Sequence, residues 1–308
     1  MRQKVLYLAG PTASGKTELS IGLAKKLNGE VVSCDSMQIY RNLDIGTAKP
    51  TLDEQQGIKH WMIDFIEPDR EYSVYDYVRD ATSIIDDIIG RGKTPIVVGG
   101  TGYYLSALIH KRIFNPSTES SAILSEIESE YESDNGPERL LLEIQEADPE
   151  HAAKLSQNDR KRIVRAVELL RTTGSTYSFP PESYMNPNAD KVYFLNASKR
   201  EILYDRINRR VGQMVLHGLL NEAKYVYDNK NAFKTASMAI GYKEFFPYFD
   251  GIRELDDCIS DLKISTRHYA KRQLTWFRKE NIIEILFDLM SLEDKIEYIC
   301  SSFEKDRG

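Results

Sequence analysis

The chain has 308 residues, of which 41% are apolar, and its 47 Asp and Glu against 41 Lys and Arg give a formal net charge of -6 at pH 7. A chain of this length can bury a large core in one large domain or two unequal ones, and it contains no apolar run of about 18 residues and no leader before its first strand pattern, which argues against a membrane span or a signal peptide. Its three cysteines lack metal-ligand spacing and fit a cytoplasmic protein in which all three are structural, and its acidic balance gives no support to nucleic-acid binding unless local charge supplies it.

The first element is a strand, loop and helix in LYLAGPTASGKTELS, residues 6–20. An apolar run at 5–9 predicts a buried strand, and leucines at helical spacing predict a helix over 18–27. The loop between them fits the phosphate-loop pattern, in which backbone N–H groups converge on an anion at a helix N-terminus. A plain turn beside a surface lysine is the alternative. The predicted phosphate-binding residues are Gly10, Pro11, Thr12, Ala13, Ser14, Gly15, Lys16 and Thr17. Lys16 adds charge at the terminal phosphate, and the Thr17 hydroxyl is the predicted ligand of Mg²⁺.

Further strand patterns occur at 30–34, 95–98 and 191–195, and they alternate with helical patterns as a parallel α/β sheet requires. The third and fourth strands are separated by a charged segment without a strand pattern. It reads as helices over 121–132 and 137–146, a third that begins at 148–149, and a fourth over 159–171 closed by Gly174. The sequence therefore predicts an α/β fold: a P-loop NTPase-like parallel core, 1–115 plus 188–308, with an inserted all-helical domain, 116–187, and a helical C-terminal part.

Asp35 directly follows the second predicted strand, at the sheet edge where open α/β proteins bind ligands. The strand at 95–98 leads into a glycine-rich turn rather than into the acidic residue that a nucleotide-hydrolysing protein uses for magnesium. A single carboxylate beside a bound phosphate ester suggests a general base for an incoming nucleophile. A solvated turn or helix-cap aspartate is the alternative.

Six motifs in this order and at these separations resemble one family from end to end: GPTASGKT, DSMQIYRNLDIGTAKPT, GGTGYYL, NDRKRIVRAVE, AIGYKE and YAKRQLTWFRKE. The family is that of the bacterial tRNA dimethylallyltransferases, or tRNA isopentenyltransferases. The resemblance implies transfer of a dimethylallyl group from dimethylallyl diphosphate to N6 of adenosine 37, next to the tRNA anticodon. The diphosphate in the loop would then be a leaving group, and the adenine would have to leave its stack to react.

The resemblance also implies roles for particular residues. Asp35 would take the N6 proton, Thr101 would contact the same nucleotide, and Ser36, Met37 and Gln38 would line the base. Arg210 matches the family arginine that neutralises the diphosphate, and Arg206 lies one helical turn away. A surface charge pattern on this helix is the alternative for both arginines.

Two basic clusters are candidates for RNA phosphates. Arg160, Lys161, Arg162 and Arg165 crowd one end of a helix in the insertion whose Ile163, Val167 and Leu170 face a core. Arg267, Lys271 and Arg278 fall on one side of a C-terminal helix, with Tyr269 and Trp276 on the other. A solvated charged face is the alternative for each cluster. The resemblance favours the insertion cluster as the contact with the anticodon stem-loop, and Trp276 is expected in the core.

Two other functions remain open on the residues alone. A nucleotide or small-molecule kinase would share the loop, and a phosphate-loop RNA-binding module without catalysis would not need Asp35. ATP could also occupy the loop weakly. A monomer is expected, although no residue pattern determines the oligomeric state.

Overall fold

The computed structural model describes residues 5–111, 121–177 and 190–307. The chain divides into two compact units, a core unit of Met1–Ile109 with Asn188–Gly308 and an insertion unit, His110–Pro187. The insertion predicted from the sequence, 116–187, begins six residues after this division, at a position outside the described residues.

The core unit is built on a parallel sheet with the strand order β3-β2-β4-β1-β5-β6. The strands are β1 (Leu6–Ala9), β2 (Gly29–Cys34), β3 (His60–Trp61), β4 (Thr94–Gly99), β5 (Val192–Asn196) and β6 (Ile282–Leu286). The four strands expected from the sequence are present to within two residues at each end. The α/β fold class is therefore confirmed.

The two strands without a sequence prediction are the edge strands of the sheet. β3 has only two residues, and in β6 only Ile285 is fully buried. Edge strands are short and half-solvated, so they lack the continuous apolar run that marks a central strand.

The helices of the described residues include the four that were expected in the insertion and a long helical C-terminal part. They are α1 (Lys16–Lys26), α2 (Leu52–Gln55), α3 (Val74–Gly90), α4 (Gly102–Ile109), α5 (Ser121–Tyr131), α6 (Gly136–Ala147), α7 (Pro149–Ala152), α8 (Arg160–Thr173), α9 (Arg200–Leu216), α10 (Leu219–Asp228), α11 (Phe246–Phe249), α12 (Leu255–Phe277) and α13 (Leu292–Arg307). Among the described residues, no helix combines the length and apolarity needed to cross a membrane.

The sheet is covered on both faces, as its alternating side chains require. Leu6 and Leu8 of β1 join one apolar cluster with α1 and α13, while Tyr7 and Ala9 join another with α3 and α4. A third cluster, centred on Tyr242, joins α9, α10 and α12 to the segment after β2. This third cluster packs the C-terminal helices against residues that follow the sheet edge, and so it forms one side of the site described below.

The insertion unit has a small core of its own. Its buried residues come from α5, α6 and α8, and they are Ile127, Leu140, Ile144, Ile163, Val164, Ala166 and Val167. α8 ends where Gly174 adopts a left-handed conformation with φ of 74°, as the sequence predicted. Leu170, which was expected to face this core, is only partly buried, whereas Leu169 is fully buried.

Candidate active site

A cavity of about 410 Å³ opens at the carboxyl edge of the sheet in the core unit. Its wall contains residues that directly follow β1, β2 and β4, together with side chains of α9 and α12 and the segment 235–241. Parallel strands end at this edge, so residues far apart in sequence meet there. The cavity therefore lies where ligands bind in open α/β sheets.

The predicted phosphate loop forms one end of the cavity. Residues 12–17 line it, whereas Gly10 and Pro11 lie behind it. Ala13 and Gly15 have positive φ values of 64° and 90°, which turn the backbone sharply before α1 begins at Lys16. The Ser14 hydroxyl is buried and has no hydrogen-bond partner among the residues that the structure describes. A buried donor without a partner in this loop fits an anion that would accept from it.

Gln273 of α12 braces this loop, a role that no motif of the sequence predicts. Its Oε1 accepts from the Thr12 N–H at 3.0 Å, and its Nε2 donates to the Gly100 carbonyl at 2.9 Å. The buried amide thus ties the phosphate loop to the turn that follows β4.

Lys16 is held against the base of the loop. Its Nζ donates to the carbonyls of Gly10 and Pro11 at 2.9 and 2.7 Å. Burial, and then the nearby charge of Arg210, lower the pKa of Lys16 to about 7, while Asp35 acts in the opposite direction. An anionic ligand in the loop would favour the charged form.

Arg210 faces the same end of the cavity from α9. Its guanidinium is half-buried, the loss of solvation lowers its pKa, and it donates to the Thr12 hydroxyl at 3.4 Å. Arg206 instead stacks over the Phe287 ring at 4.7 Å, and one of its terminal nitrogens lies beside Gly15. Of the two arginines considered in the sequence, Arg210 therefore lines the cavity, whereas Arg206 packs next to the loop outside the cavity wall.

Asp35 lies across the cavity, directly after β2. Its Oδ1 accepts from the backbone N–H groups of Met37 and Gln38 at 2.9 and 3.3 Å. The turn role that was the alternative for Asp35 is therefore present, but the same side chain also lines the cavity with Ser36, Met37 and Gln38.

Thr101 is one layer further back. Its hydroxyl accepts from the Ser36 N–H at 3.1 Å and lies near Tyr269, whose pKa is raised by burial. Ser36 and Tyr269 line the cavity, whereas Thr101 does not. The structure thus places Thr101 behind the residues that would meet a ligand.

The Glu222 carboxylate holds the wall segment 44–48, a role that the sequence did not predict. The Glu222 carboxylate accepts from three successive N–H groups, those of Asp44, Ile45 and Gly46, at 2.8 to 2.9 Å. It also accepts from the Tyr242 hydroxyl at 2.8 Å. Gly46 lies against this ring, because an added Cβ would come within 2.5 Å of it. From the cavity side, Gln38 donates to the carbonyls of Thr47 and Ala48.

One part of the cavity wall is apolar. The side chains that form it come from α9, α12 and the segment 235–241, and they are Ile207, Val211, Met214, Met238, Ala239, Ile240 and Leu262. An anion-binding end joined to an apolar wall suits a ligand that has a phosphate group and a short hydrocarbon chain.

The metal prediction rests on few protein ligands. No group of three or more His, Cys, Asp or Glu that could hold a metal occurs in the parts of the chain that the structure describes. Thr17 lines the cavity and is exposed to it. Mg²⁺ usually keeps several waters and takes one or two protein oxygens plus substrate phosphates. This donor set fits Mg²⁺ that arrives with a diphosphate.

The two basic clusters differ in what surrounds them. Three of the four cations in the insertion cluster pair with carboxylates: Arg160 with Glu132, Arg162 with Asp159, and Arg165 with Glu168. On α12, Trp276 is not in the core as expected but is 41% exposed. The cysteines are buried, in agreement with a structural role.

This geometry belongs to the class of phosphate-loop α/β proteins with an amphiphilic ligand cavity, and the comparisons with known proteins identify the family. The IPP transferase family model matches residues 38–280, and the isopentenyl transferase model matches residues 3–69. The chain belongs to the IPP transferase family.

Named relatives and solved structures agree with this assignment. A tRNA dimethylallyltransferase of Lactobacillus acidophilus is 42% identical over 99% of this chain and all of its own, and one of Enterococcus faecalis is 42% identical over 96% of both chains. The crystal structure of a Bacillus halodurans tRNA isopentenylpyrophosphate transferase has a TM-score of 0.71 at 40% identity, covering 99% of this chain and 98% of its own. A eukaryotic dimethylallyltransferase acting on tRNA has a TM-score of 0.82 at 32% identity, covering 99% of this chain and 80% of its own. The protein is therefore a transferase of this family.

Proposed function

We propose that the protein transfers a dimethylallyl group from dimethylallyl diphosphate to N6 of adenosine 37 in tRNA. The observation that most supports this proposal is that Lys16, Arg210 and Asp35 line one cavity, which also has an apolar wall. The cations suit a departing diphosphate, the apolar wall suits the five-carbon chain, and the carboxylate suits a proton acceptor. A relative whose structure is described as a dimethylallyltransferase acting on tRNA has the same fold.

The phosphate loop would stabilise the leaving group, the diphosphate. As the bond between C1 of the donor and its bridging oxygen breaks, negative charge develops on the diphosphate. The N–H groups of residues 13–17, the Ser14 hydroxyl, Lys16 and Arg210 are the groups that would stabilise it. Mg²⁺ bound through Thr17 would supply a further positive charge to the same oxygens.

The cavity wall opposite the phosphate loop would act on the acceptor, adenine N6. The lone pair of adenine N6 is delocalised into the ring, so N6 becomes an effective nucleophile only as it loses a proton. The N6 lone pair forms the new bond to C1, the electron pair of the broken bond leaves with the diphosphate, and the N6 proton passes to Asp35. Thr101, which accepts from the Ser36 N–H, would position this side of the cavity.

The acceptor nucleotide must leave the anticodon loop to enter such a cavity, as other base-modifying enzymes require. Bases in single-stranded loops unstack at low cost and expose their edges. The insertion cluster around Arg162 and Arg165 is one candidate contact with the anticodon stem-loop.

The proposal is tested by incubating the protein with unmodified tRNA, Mg²⁺ and dimethylallyl diphosphate labelled in the allyl group. We expect label in the RNA, located at adenosine 37 after nuclease digestion, with one diphosphate released per transfer. Consumption of ATP without labelling would favour a kinase, and binding of both substrates without either reaction would favour a non-catalytic module. Inorganic diphosphate should compete with the donor better than ATP does at equal Mg²⁺.

A further inference from the structure

Two exposed aromatic rings lie next to the cavity on neighbouring helices. Trp276 follows Gln273 by almost one turn of α12 and is 41% exposed, and Tyr103 of α4 is 37% exposed. Their ring centroids are 6.1 Å apart at an angle of 82°. A Cβ on Gly102 would come within 2.4 Å of the indole, so the ring rests on the backbone directly after Thr101. The aromatic pair is therefore fixed beside the acceptor wall.

The charge around this pair is unusual for so acidic a chain. Residues 262–279 contain six Lys and Arg and no Asp or Glu. None of these six cations forms an ion pair with a carboxylate in the described ranges, in contrast to Arg160, Arg162 and Arg165 of the insertion. Arg272 and Trp276 lie one turn apart on an exposed side of α12, and Lys279 is exposed in the turn that follows the helix.

Exposed rings beside unpaired cations match the chemistry of single-stranded nucleic acid. A base offers a π-face to an aromatic ring, and its phosphate accepts from a cation within one nucleotide. A ligand with only acidic groups would contact the cations but not the rings. An apolar ligand would contact the rings but not the cations. A nucleotide uses both groups of residues.

We propose that Trp276 and Tyr103 form a stacking platform for a loop nucleotide next to the reacting adenosine, with Arg272 and Lys279 on its phosphates. This inference rests on the proposed function and adds to it the surface that would replace the lost stacking of the displaced adenosine. It also ranks the α12 surface above the insertion cluster as the main phosphate contact.

The aromatic arm of the test uses an unmodified anticodon stem-loop RNA with A36 and A37. Trp61 and Trp276 are the only tryptophans, so a Trp61→Phe protein reports Trp276 alone, and we expect its fluorescence to be quenched as RNA binds. Trp276→Ala in the otherwise unchanged protein should weaken RNA binding by about 5- to 100-fold, the range of one stacked base, whereas Trp276→Phe should stay within about threefold. Affinity for dimethylallyl diphosphate, measured on the same preparations, should not change.

The charge arm compares two double variants that each remove two cations. Arg272→Gln with Lys279→Gln should reduce the dependence of log affinity on log salt concentration by about 1.4, that is, about 0.7 for each single-strand phosphate contact. Lys25→Gln with Lys26→Gln, two exposed lysines on α1, is the matched control and should leave the slope unchanged.

Failure of this inference and failure of the proposed function give different results. If the parent protein transfers label but Trp276→Ala and the Arg272, Lys279 double variant both bind RNA within twofold of it, the platform is wrong. An equal loss of donor and RNA affinity in Trp276→Ala, or absence of quenching, would also overturn it and make Trp276 a packing residue. If the parent protein transfers no label, the proposed function fails whatever the RNA affinities are.

Discussion

The cations of the cavity and those on α8 of the insertion differ in solvation and in how their charges are neutralised. Lys16 and Arg210 are half-buried, lose solvation in the cavity and have no carboxylate ion-pair partner among the described residues, whereas Arg160, Arg162 and Arg165 each pair with a carboxylate within the insertion unit. Residues 110–187 contain fourteen Asp and Glu against nine Lys and Arg, so this unit accounts for -5 of the net charge. A buried charge without a partner is costly unless a ligand supplies one, and an exposed pair is screened and nearly neutral. The density of basic residues in a sequence is therefore a weaker guide to an anion site than the environment of each residue.

The largest effect should follow from changing Asp35, the carboxylate that lines the cavity together with Lys16 and Arg210. Asp35→Asn keeps the size and the turn hydrogen bonds but removes the basic group, so the chemical step should slow by about 10²- to 10⁴-fold. Single-turnover transfer measures this rate. Asp64→Asn, in an exposed aspartate paired with Lys49, is the control and should leave the rate unchanged.

Asp35→Asn also separates two roles of the carboxylate. Donor affinity should survive, because the phosphate loop is untouched. A rate within a few-fold of the parent would refute the general-base role, and a collapse of Mg²⁺-dependent donor binding would make Asp35 a metal ligand instead.

Variants of two lysines, Lys16 in the cavity and Lys161 on the insertion, test this comparison directly. Lys16→Ala should lower turnover by about 10²- to 10³-fold, because Lys16 acts on charge that develops on the departing diphosphate, while RNA affinity changes little. Lys161→Ala, in an exposed lysine of the insertion, should leave turnover within about twofold. Single-turnover rates at saturating RNA decide the comparison, and similar losses in the two variants would contradict it.

Lys16 should also make donor binding depend on pH. With a pKa of about 7 in the ligand-free protein, Lys16 is increasingly neutral above pH 7, and binding of the anion must then return the proton. Donor affinity should therefore fall above pH 7, by up to about tenfold per unit, and binding at pH 8 should take up almost one proton more than in Lys16→Gln. Calorimetry in two buffers of different ionisation enthalpy measures this uptake. Equal uptake by both proteins would show that Lys16 stays charged.

The smallest effect is expected in the insertion. Lys161→Gln, Arg162→Gln and Arg165→Gln together should weaken RNA binding only a few-fold, because two of these cations already have carboxylate partners. Donor affinity should not change. The salt dependence of RNA binding should change less than in the Arg272, Lys279 double variant, and the reverse order would restore the insertion as the main contact.

The parts of the site formed by residues that are close together in the sequence could be predicted from it. The phosphate loop is eight consecutive residues between a strand and a helix, and Asp35 directly follows a strand, so local pattern and sheet geometry together place both in one cavity. Their chemical roles remain predictions. The edge strands could not be predicted, because two residues in β3 and a half-solvated β6 carry little apolar signal.

The supporting residues could not be predicted, because each is a single polar side chain that acts over a long sequence separation. Glu222 reaches the N–H groups of residues 44–46 from 176 to 178 positions away. The prediction for Trp276 was wrong for a related reason. It lies at the border of the buried face of α12, next to Phe277, and periodicity cannot tell that α4 leaves the ring exposed.

The bond between Gln273 and Thr12 spans 261 residues, and this imposes an order on synthesis of the active protein. The phosphate loop leaves the ribosome first, but the amide that braces it is added only when about nine-tenths of the chain has been made. β5, which pairs with β1, is translated only after the middle of the chain and the whole insertion, so β1 lacks this neighbour until then. A nascent chain therefore holds an unbraced loop and an incomplete cavity until translation is almost finished, and the donor site matures as one of the last features of the protein.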